Sequence, residues 1–529
     1  MRNKIVLLIS LLLVRSFCVS AQVWLPDNSD GTYTNPIIHA DYSDPDVIRV
    51  NDDYYMVASS FTCAPGIPVL HSKDLVNWTI INHVYSGLPF DRYKYPAHGQ
   101  GSWAPSIRYH NGVFYVYFCT PEEGLFVART DDPVGEWNLK NILKVSQWED
   151  PCPFWDDNGN AYLIRSKLCG GPAYLHRMAE DGLSLLDNGK IVYWDNEENP
   201  VLEGLKMMKR NGWYYILAPA GGVSTGWQTV LRSKSIEGPY ESRKVLKEGN
   251  GINGPHQGGL VDTQTGEWWF IHFQDKNAYG RIVHLQPARW VDDWPVIGLD
   301  EKGEGCGIPA LRHKKPDVGV TCPVETPQTS DEFDGVSLGL QWQWQAMEQS
   351  QWYSLSASKG NIRLYAVSSP TEEGNLYYSG NLLLQKLPAP EFSATAKMNI
   401  SALQDGERAG IVMMGNYHTY LCARNQGGKK EIVLYEGKQE TCGFPPKELE
   451  AVEHDAESLW LKVDVFPNAT CRYSYSVNSL EYVPLDFTLK IDKGQWIGAK
   501  VGLFCINPDI TDGKGFVDVD YFHVEGLTK

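Results

Sequence analysis

The sequence predicts an all-β protein with an N-terminal five-bladed β-propeller and a C-terminal antiparallel β-sandwich. A tight turn followed by an aromatic-rich strand recurs five times before residue 300, with no convincing amphipathic helix between the copies. Beyond residue 332, short apolar or alternating runs follow one another, as in a sandwich. The length of 529 residues allows two or three domains with large cores.

The five copies define the predicted blades. Each turn offers residues that adopt positive φ, which a tight hairpin requires. Successive turns lie 47 to 60 residues apart, which is enough for four short strands. This regularity disfavours an ordinary sandwich with coincidental hairpins. The copies are NDDYYMV from Asn51, NGVFYVY from Asn111, NGNAYLI from Asn158, NGWYYIL from Asn211 and TGEWWFI from Thr265.

Ionisable residues begin four of the five strands that precede these turns. The starting residues are Asp44, Ala104, Asp150, Glu203 and His256. Because the innermost strands of a propeller surround one axis, these ends should lie close together. Three carboxylates crowded there repel one another, so at least one pKa should rise. One carboxyl group could then donate a proton while another stays ionised, as a glycosidase needs.

Each of these residues also has a purely structural interpretation. Asp44 and Asp150 precede prolines and could only begin a turn. Glu203 could be a solvated strand end, and His256 could be a hydrogen-bonded core imidazole. The shared position in the repeat favours the functional interpretation of the carboxylates.

Several long stretches, in order, resemble glycoside hydrolase family 43. They cover roughly residues 33–305 and include DYSDPDVIRV, GSWAPSIRYHNG, EDPCPFWDDNG, LEGLKMMKRNG, HQGGLVD and GRIVHLQP. The resemblance implies a five-bladed propeller of inverting glycosidases, acting mainly on xylose- and arabinose-containing polysaccharides. A weaker resemblance, in DEFDG and VGLFCI, implies the concanavalin-like sandwich of the xylosidase and arabinofuranosidase branch.

The resemblance implies the catalytic roles. Asp44 matches the general base, Glu203 matches the general acid, and Asp150 matches the carboxylate that tunes and orients the acid. In the implied single displacement, Asp44 takes a proton from water while Glu203 protonates the leaving oxygen. The base and the acid should then lie about 6.5–9.5 Å apart.

The resemblance also implies binding residues. Phe61 and Trp103 match apolar walls of the sugar pocket, and Arg281 matches a donor to sugar hydroxyls. His256 matches a histidine that in family members often holds a calcium ion or water near the axis. No cofactor is required, and a calcium ion would be structural or would tune a pKa. Glu149 departs from the pattern, because related xylosidases often carry an aromatic there; the pocket should differ accordingly.

The second half of the chain divides into two parts. Residues 306–331 form a proline-rich connector, and residues 332–529 form the predicted sandwich. The loop Asn507–Gly515 is the expected element that closes the pocket of the propeller, residues 22–305. The alternatives are a sandwich that only packs against the propeller, or an independent carbohydrate-binding module.

The N-terminus matches a signal peptide over residues 1–21. A basic start precedes an apolar run from Ile5 to Val14, and Val19-Ser20-Ala21 offers a small-residue cleavage site. We expect export to the periplasm or secretion. Cys18 makes a surface lipoprotein the less favoured alternative. No other stretch reaches 18 apolar residues, so no membrane span is expected.

The composition limits the partners. With 47 basic against 64 acidic residues and a net charge of −17, the chain lacks the basic footprint of a nucleic-acid binder. Its 18 Trp and 28 Tyr suit stacking against sugar rings. Besides Cys18, ten cysteines would allow disulfides in an exported chain, and their pairing stays open.

The resemblance to glycoside hydrolase family 43 and to its xylosidase and arabinofuranosidase branch implies an exo-acting α-L-arabinofuranosidase. It would remove terminal non-reducing residues from plant cell-wall polysaccharides or oligosaccharide side chains. An exo-β-xylosidase, or dual activity, is the nearest alternative, because both sugars are pentoses that place similar atoms around the scissile bond. A non-catalytic glycan-binding propeller is the alternative from another class. Three mutually repelling carboxylates disfavour it, since a pure binder does not need them.

Overall fold

A computed structural model describes residues 22–371, 374–439, 445–509 and 513–527. The expected signal peptide and Cys18 lie outside these ranges. Short strands dominate from β1 (Thr32–Thr34) onward. The helical elements of the described residues are the 3-10 turns Asp91–Lys94, Asn277–Tyr279 and Leu376–Tyr378. In this part of the chain, no helix has the length and apolar character that a membrane span needs.

Five four-stranded antiparallel sheets form the propeller, and the strands of each sheet pair in sequence order. Blade 1 consists of β2 (Asp46–Val50), β3 (Asp53–Val57), β4 (Gly66–Ser72) and β5 (Thr79–Tyr85). Blade 2 consists of β6 (Trp103–His110), β7 (Val113–Thr120), β8 (Gly124–Thr130) and β9 (Asn138–Leu143). Blade 3 consists of β10 (Trp148–Trp155), β11 (Ala161–Lys167), β12 (Ala173–Met178) and β13 (Lys190–Tyr193). Blade 4 consists of β14 (Lys206–Arg210), β15 (Trp213–Ala220), β16 (Trp227–Ser233) and β17 (Glu241–Leu246). Blade 5 consists of β18 (His256–Asp262), β19 (Trp268–Asp275), β20 (Arg281–Val291) and β21 (Trp294–Ile297).

The turns of the predicted repeat join the first two strands of every blade. At Asn111-Gly112 and Asn211-Gly212 both residues have positive φ. This conformation matches the twist of the flanking strands, so Asn-Gly is favoured at such a turn. The prediction of a five-bladed propeller is confirmed.

Apolar clusters fill the gaps between neighbouring blades. Tyr54 of blade 1 and Trp269 of blade 5 belong to one cluster, so the last blade packs against the first and closes the ring. The N-terminal segment reinforces this closure, because β1 pairs with β22 (Arg312–Lys314), which follows blade 5. The buried Tyr33 of β1 donates a hydrogen bond to the Leu285 carbonyl of blade 5 at 2.8 Å.

The C-terminal half is the predicted antiparallel sandwich, built from two eight-stranded sheets. One sheet contains β23 (Gln343–Trp344), β27 (Leu383–Lys386), β37 (Lys500–Asn507), β29 (Arg408–Met414), β30 (Tyr417–Gln426), β31 (Lys429–Lys438) and β32 (Lys447–Glu453), with β26 (Val367–Ser368) beside β37. The other contains β24 (Tyr353–Ser354), β25 (Ile362–Tyr365), β38 (Phe516–Glu525), β28 (Phe392–Asn399), β33 (Ser458–Phe466), β34 (Thr470–Ser476) and β35 (Val483–Pro484), with β36 (Leu489–Lys490) beside β34. In β33, buried residues alternate with partly exposed ones, as expected for a strand with one face on the core.

The sandwich packs directly on the propeller. Ala64 and Trp344 each donate a backbone hydrogen bond to the other's carbonyl, at 3.0 and 2.6 Å. The hydroxyl of the buried Tyr279 lies 2.9 Å from the Pro390 carbonyl and 2.7 Å from the Phe466 carbonyl. These contacts bring a sandwich loop, residues 493–499, beside the propeller axis.

Candidate active site

A cavity of about 110 Å³ lies at the end of the propeller axis where the innermost strands begin. Six of the seven residues predicted for the site line it, and the seventh, His256, does not. The lining residues are Asp44, Phe61, Trp103, Ala104, Glu149, Asp150, Leu168, Cys169, Glu203, Val223, Gln257, Arg281 and Trp496.

A similar backbone conformation occurs where every innermost strand begins. Asp44, Ala104, Asp150, Gly204 and Gln257 all have φ values between 33° and 64°. Irregular pairing with the next strand occurs at this level in β6, β10 and β18. Such bulges redirect a side chain out of the regular alternation. This structural equivalence matches the sequence repeat at Asp44, Ala104 and Asp150. In blades 4 and 5 it falls on Gly204 and Gln257, one residue after the predicted Glu203 and His256.

Asp44 lies where an anion is stabilised. Its Oδ1 accepts a hydrogen bond from Nη1 of Arg281 at 2.9 Å. Its Oδ2 accepts hydrogen bonds from the hydroxyls of Ser59 at 2.6 Å and Ser43 at 3.1 Å. A guanidinium and two hydroxyl donors together favour the carboxylate form. This environment suits a general base.

Glu203 has the opposite environment. Within the described residues, its carboxyl group makes no hydrogen bond, and its Oε1 lies 3.4 Å from Nε2 of His256. Burial raises the pKa of Glu203, and the charges of Asp150 and Asp44 raise it further, while Arg281 opposes them. A carboxyl group that keeps its proton near neutral pH suits a general acid.

Asp150 lies between these two cases. Burial raises its pKa, while the charge of Lys206 and a hydrogen bond from the Gly204 N–H, 2.6 Å long, oppose the rise. The Ser166 hydroxyl lies within hydrogen-bond distance at 3.3 Å. Because Gly204 follows Glu203 in the chain, this hydrogen bond fixes the backbone of the candidate acid against Asp150.

Glu149 adds a fourth carboxyl group to the cavity. Its Oε1 accepts a hydrogen bond from the Gly170 N–H at 2.9 Å, and its Oε2 accepts one from the Cys169 N–H at 3.2 Å. One oxygen each of Glu149, Asp150 and Glu203 lie within 4.8 Å of one another. Burial raises the pKa of Glu149, and the charges of Asp150 and Glu203 add to the rise. Three carboxyl groups this close do not all ionise together.

His256 packs behind Glu203 and is fully buried. Neither ring nitrogen has a hydrogen-bond partner within the described part of the chain. Burial lowers the pKa of His256, so the imidazole is neutral. An orphaned imidazole fits a water molecule on the axis. Calcium binds six to eight oxygen ligands. The carboxyl group beside this ring belongs to Glu203, the candidate acid, which needs its proton rather than a metal ion. The calcium ion therefore stays a prediction.

Aromatic rings form one wall of the cavity. Phe61 and Trp103 meet edge to face, with ring centroids 5.8 Å apart. Trp103 meets Trp496 in the same way at 6.2 Å. The Arg281 guanidinium lies 5.5 Å from the centre of the Phe61 ring. An apolar wall beside a guanidinium is the arrangement that a sugar ring with its hydroxyls needs.

Trp496 comes from the sandwich, and the sequence analysis did not identify it. Its loop is fastened beside Arg281, because Asp41 accepts hydrogen bonds from the N–H groups of Gly498 at 3.0 Å and Arg281 at 2.8 Å. The available signal was a tryptophan in a short glycine-flanked turn, GQWIG. Nothing in that turn alone points to a propeller that ends almost 200 residues earlier in the sequence.

The loop predicted to close the pocket, Asn507–Gly515, is described at residues 507–509 and 513–515. These residues do not line the cavity. The Gly515 N–H instead donates a hydrogen bond to Oε1 of Glu407, within the sandwich, at 2.9 Å. This loop follows β37, whereas the loop that reaches the axis precedes β37.

No disulfide is present among the described residues, where nine cysteines are free thiols. Cys442 and Cys18 lie outside those residues. Cys152 is buried, and its Sγ accepts a hydrogen bond from Nη2 of Arg108 at 3.0 Å. Cys169 is the exposed member of the nine and lines the cavity.

Two protein-family models match this chain. The model described as Glycosyl hydrolases family 43 matches residues 33–295, which contain the five blades up to the beginning of β21. The model described as Beta xylosidase C-terminal Concanavalin A-like domain matches residues 330–525, which contain the sandwich.

Curated relatives match over most of their length. A Xylanibacter ruminicola protein named "Putative beta-xylosidase" is 43% identical over 90% of this chain and 86% of its own. A beta-xylosidase of Formosa agariphila is 33% identical over 94% of this chain and 90% of its own. A non-reducing end alpha-L-arabinofuranosidase of Bacteroides ovatus is 29% identical over 79% of this chain and 81% of its own.

Proposed function

Since this chain belongs to glycosyl hydrolase family 43, we propose that it is an exo-acting, inverting β-xylosidase that removes terminal xylosyl residues from oligosaccharides or polysaccharides. The sequence analysis put α-L-arabinofuranosidase first. The names of the relatives support the opposite order, because the proteins at 43% and 33% identity carry beta-xylosidase names and the arabinofuranosidase stands at 29%. Family 43 enzymes are typically cofactor-independent.

The observation that carries the proposal is the convergence of Asp44, Asp150 and Glu203, from three different blades, on one cavity. Their contrasting environments support different roles. Asp44, held as an anion, takes a proton from the water that attacks the anomeric carbon. Glu203, holding its proton, protonates the leaving glycosidic oxygen. Asp150 helps to keep Glu203 protonated and in position.

The small cavity supports action on chain ends. Its volume is about 110 Å³, and Trp496 of the sandwich forms part of its wall. A polysaccharide running through the site would need an open cleft. A second cavity of about 260 Å³ shares Val223, Arg281 and Trp496 with the first and offers space for the leaving part of the substrate.

An α-L-arabinofuranosidase is the second candidate, alone or as a dual activity. The Bacteroides ovatus relative carries that name. Both sugars are pentoses, so the same base, acid and aromatic wall would serve either.

Hydrolysis of two aryl glycosides tests the proposal. The enzyme should release 4-nitrophenol faster from the β-D-xylopyranoside than from the α-L-arabinofuranoside. The reverse order would favour the arabinofuranosidase. Hydrolysis of neither substrate, by folded protein that still binds xylose, would reject both candidates.

We also propose that residues 1–21 direct export, to the periplasm or the medium. The basis is the sequence pattern of a signal peptide. Fractionation of expressing cells, with N-terminal sequencing of the product, tests this. A mature chain that begins near Gln22 outside the cytoplasm is expected, and a full-length cytoplasmic chain would contradict it.

A further inference from the structure

Glu149 lines the cavity but has no part in the mechanism above. It lies on β10 beside Asp150 and is 5% exposed. A buried carboxyl group costs free energy unless it is protonated or well partnered. Its position beside two other carboxyl groups therefore needs a physical explanation.

The loop that holds Glu149 is built around it. Cys169 and Gly170 both have positive φ, at 68° and 76°. For a cysteine this conformation is uncommon and strained. It turns two successive N–H groups onto the two carboxyl oxygens. The loop packs closely on the neighbouring backbone at Gly170, since a Cβ there would lie 2.6 Å from Cα of Val201.

The neighbouring charges decide the form of this carboxyl group. Asp150 receives the Gly204 N–H and faces the charge of Lys206, so it takes up negative charge more readily. Burial and the charges of Asp150 and Glu203 raise the pKa of Glu149, while the N–H groups of Gly170 and Cys169 oppose the rise, and the net direction favours the protonated form. A neutral carboxyl group carries one O–H donor besides its acceptors. Such a group suits a sugar hydroxyl, which both donates and accepts.

We propose that Glu149 is a further substrate-binding residue, whose carboxyl group hydrogen-bonds one hydroxyl of the terminal pentose while the 168–170 loop fixes its position. This inference rests on the proposed glycosidase function. It also gives Glu149 a part in specificity. A buried polar group that is built to meet a hydroxyl is left unpaired by a sugar that lacks it.

The inference is tested by measuring kcat/KM of wild-type and variant enzymes on a parent glycoside and on analogues that each lack one hydroxyl. The substrate is whichever 4-nitrophenyl glycoside, β-D-xylopyranoside or α-L-arabinofuranoside, the wild type hydrolyses faster, together with its monodeoxy analogues. In the wild type, one analogue should lose about 10- to 100-fold in kcat/KM relative to the parent sugar. In Glu149→Leu that ratio should fall to about threefold or less, because the partner of the missing hydroxyl is gone. Glu149→Gln keeps a donor and should restore the ratio.

Controls separate this role from a structural one. Asp156→Asn removes another buried carboxylate of the same blade, 6% exposed and outside the cavity, and should leave every ratio as in the wild type. Equal ratios for all analogues in Glu149→Leu and the wild type would overturn the inference and leave the proposed function intact. Failure of the wild type to hydrolyse either parent glycoside would overturn both. If Glu149→Leu does not fold, Glu149→Ala takes its place.

Discussion

The hydrogen-bond partners of each carboxyl group in this cavity decide whether it suits the base or the acid. Asp44 is held by Arg281 and two serine hydroxyls, whereas Glu203 lies against a neutral histidine. Buried carboxyl groups of the same kind therefore differ in which one keeps its proton. The assignment of base and acid follows from these contacts.

The loss of activity in Glu203→Gln should depend on the leaving group of the substrate. A poor leaving group such as the second sugar of xylobiose needs a proton, so kcat/KM should fall about 10²- to 10⁴-fold. 4-Nitrophenolate leaves without full protonation, and its release should fall much less. Steady-state kinetics on both substrates measures the contrast.

Asp44→Asn is the matched control for Glu203→Gln. Loss of the base affects attack by water and should slow both substrates alike. Equal losses for the two substrates in Glu203→Gln would remove Glu203 as the acid.

Cys169 offers a chemical probe of the cavity. Its thiol is exposed and lines the site, so alkylation with iodoacetamide should block sugar binding and remove most of the activity. Xylose should slow this inactivation. Cys169→Ser should resist the reagent, and the control Cys306→Ser should stay sensitive. Inactivation that persists in Cys169→Ser would place the reactive thiol elsewhere.

At the scale of strands and loops, the repeat was predictable because its physics is local. Asn-Gly turns and aromatic strands specify a hairpin by themselves. Five copies at regular spacing leave few arrangements that bury all their apolar faces. From the starts of the innermost strands, the sequence alone then predicts that Asp44, Asp150 and Glu203 lie around one axis.

The loop over the cavity was not predictable in this way. Its position depends on the docking of two domains, through contacts such as Asp41 with Gly498, which are more than 450 residues apart. The sequence of the turn at Trp496 carries no sign of that partner. The hydrogen bonds from Cys169 and Gly170 to Glu149 likewise depend on the tertiary path of a loop. The only sequence signal at Glu149 is that related xylosidases often carry an aromatic residue at this position.

The Asp41 carboxylate joins the sandwich loop to the propeller, so its removal should loosen the cavity wall. Asp41→Ala breaks the hydrogen bonds from Gly498 and Arg281, each worth about 1.5–3 kcal/mol when the acceptor is charged. We expect a higher KM for the aryl glycoside and a lower melting temperature. Kinetics and thermal unfolding measure the two effects.

Trp496→Ala separates the two contributions of this loop. It removes the aromatic wall and keeps the Asp41 hydrogen bonds, so KM should rise with little change in melting temperature. An unchanged KM in both variants would contradict the role of the sandwich in the site.

For the whole molecule, two sets of buried groups oppose each other as pH changes. Burial lowers the pKa of the histidines at positions 39, 83, 176, 256, 272, 284 and 418. The unfolded chain binds more protons at these sites, so stability is lost as pH falls below their ordinary value of 6.5. Burial raises the pKa of Glu149 and Glu203, so stability is lost as pH rises above their ordinary value of 4.5.

The alkaline side of this balance gives a test at Glu149. At pH 7 the folded protein holds a proton there that the unfolded chain has released. The free energy of unfolding should therefore fall with rising pH, by up to about 1.4 kcal/mol per pH unit for this group. Glu149→Gln should flatten that slope in denaturant titrations between pH 6 and 8. An unchanged slope would show that Glu149 is ionised in the folded protein.

The stereochemistry of the product tests the central claim most directly. If Asp44 and Glu203 act as base and acid in a single displacement, water attacks the face opposite the leaving group. Proton NMR during hydrolysis of 4-nitrophenyl β-D-xylopyranoside should show α-xylose first, followed by slow mutarotation. Initial release of β-xylose would mean retention, and would contradict the roles given to Asp44 and Glu203.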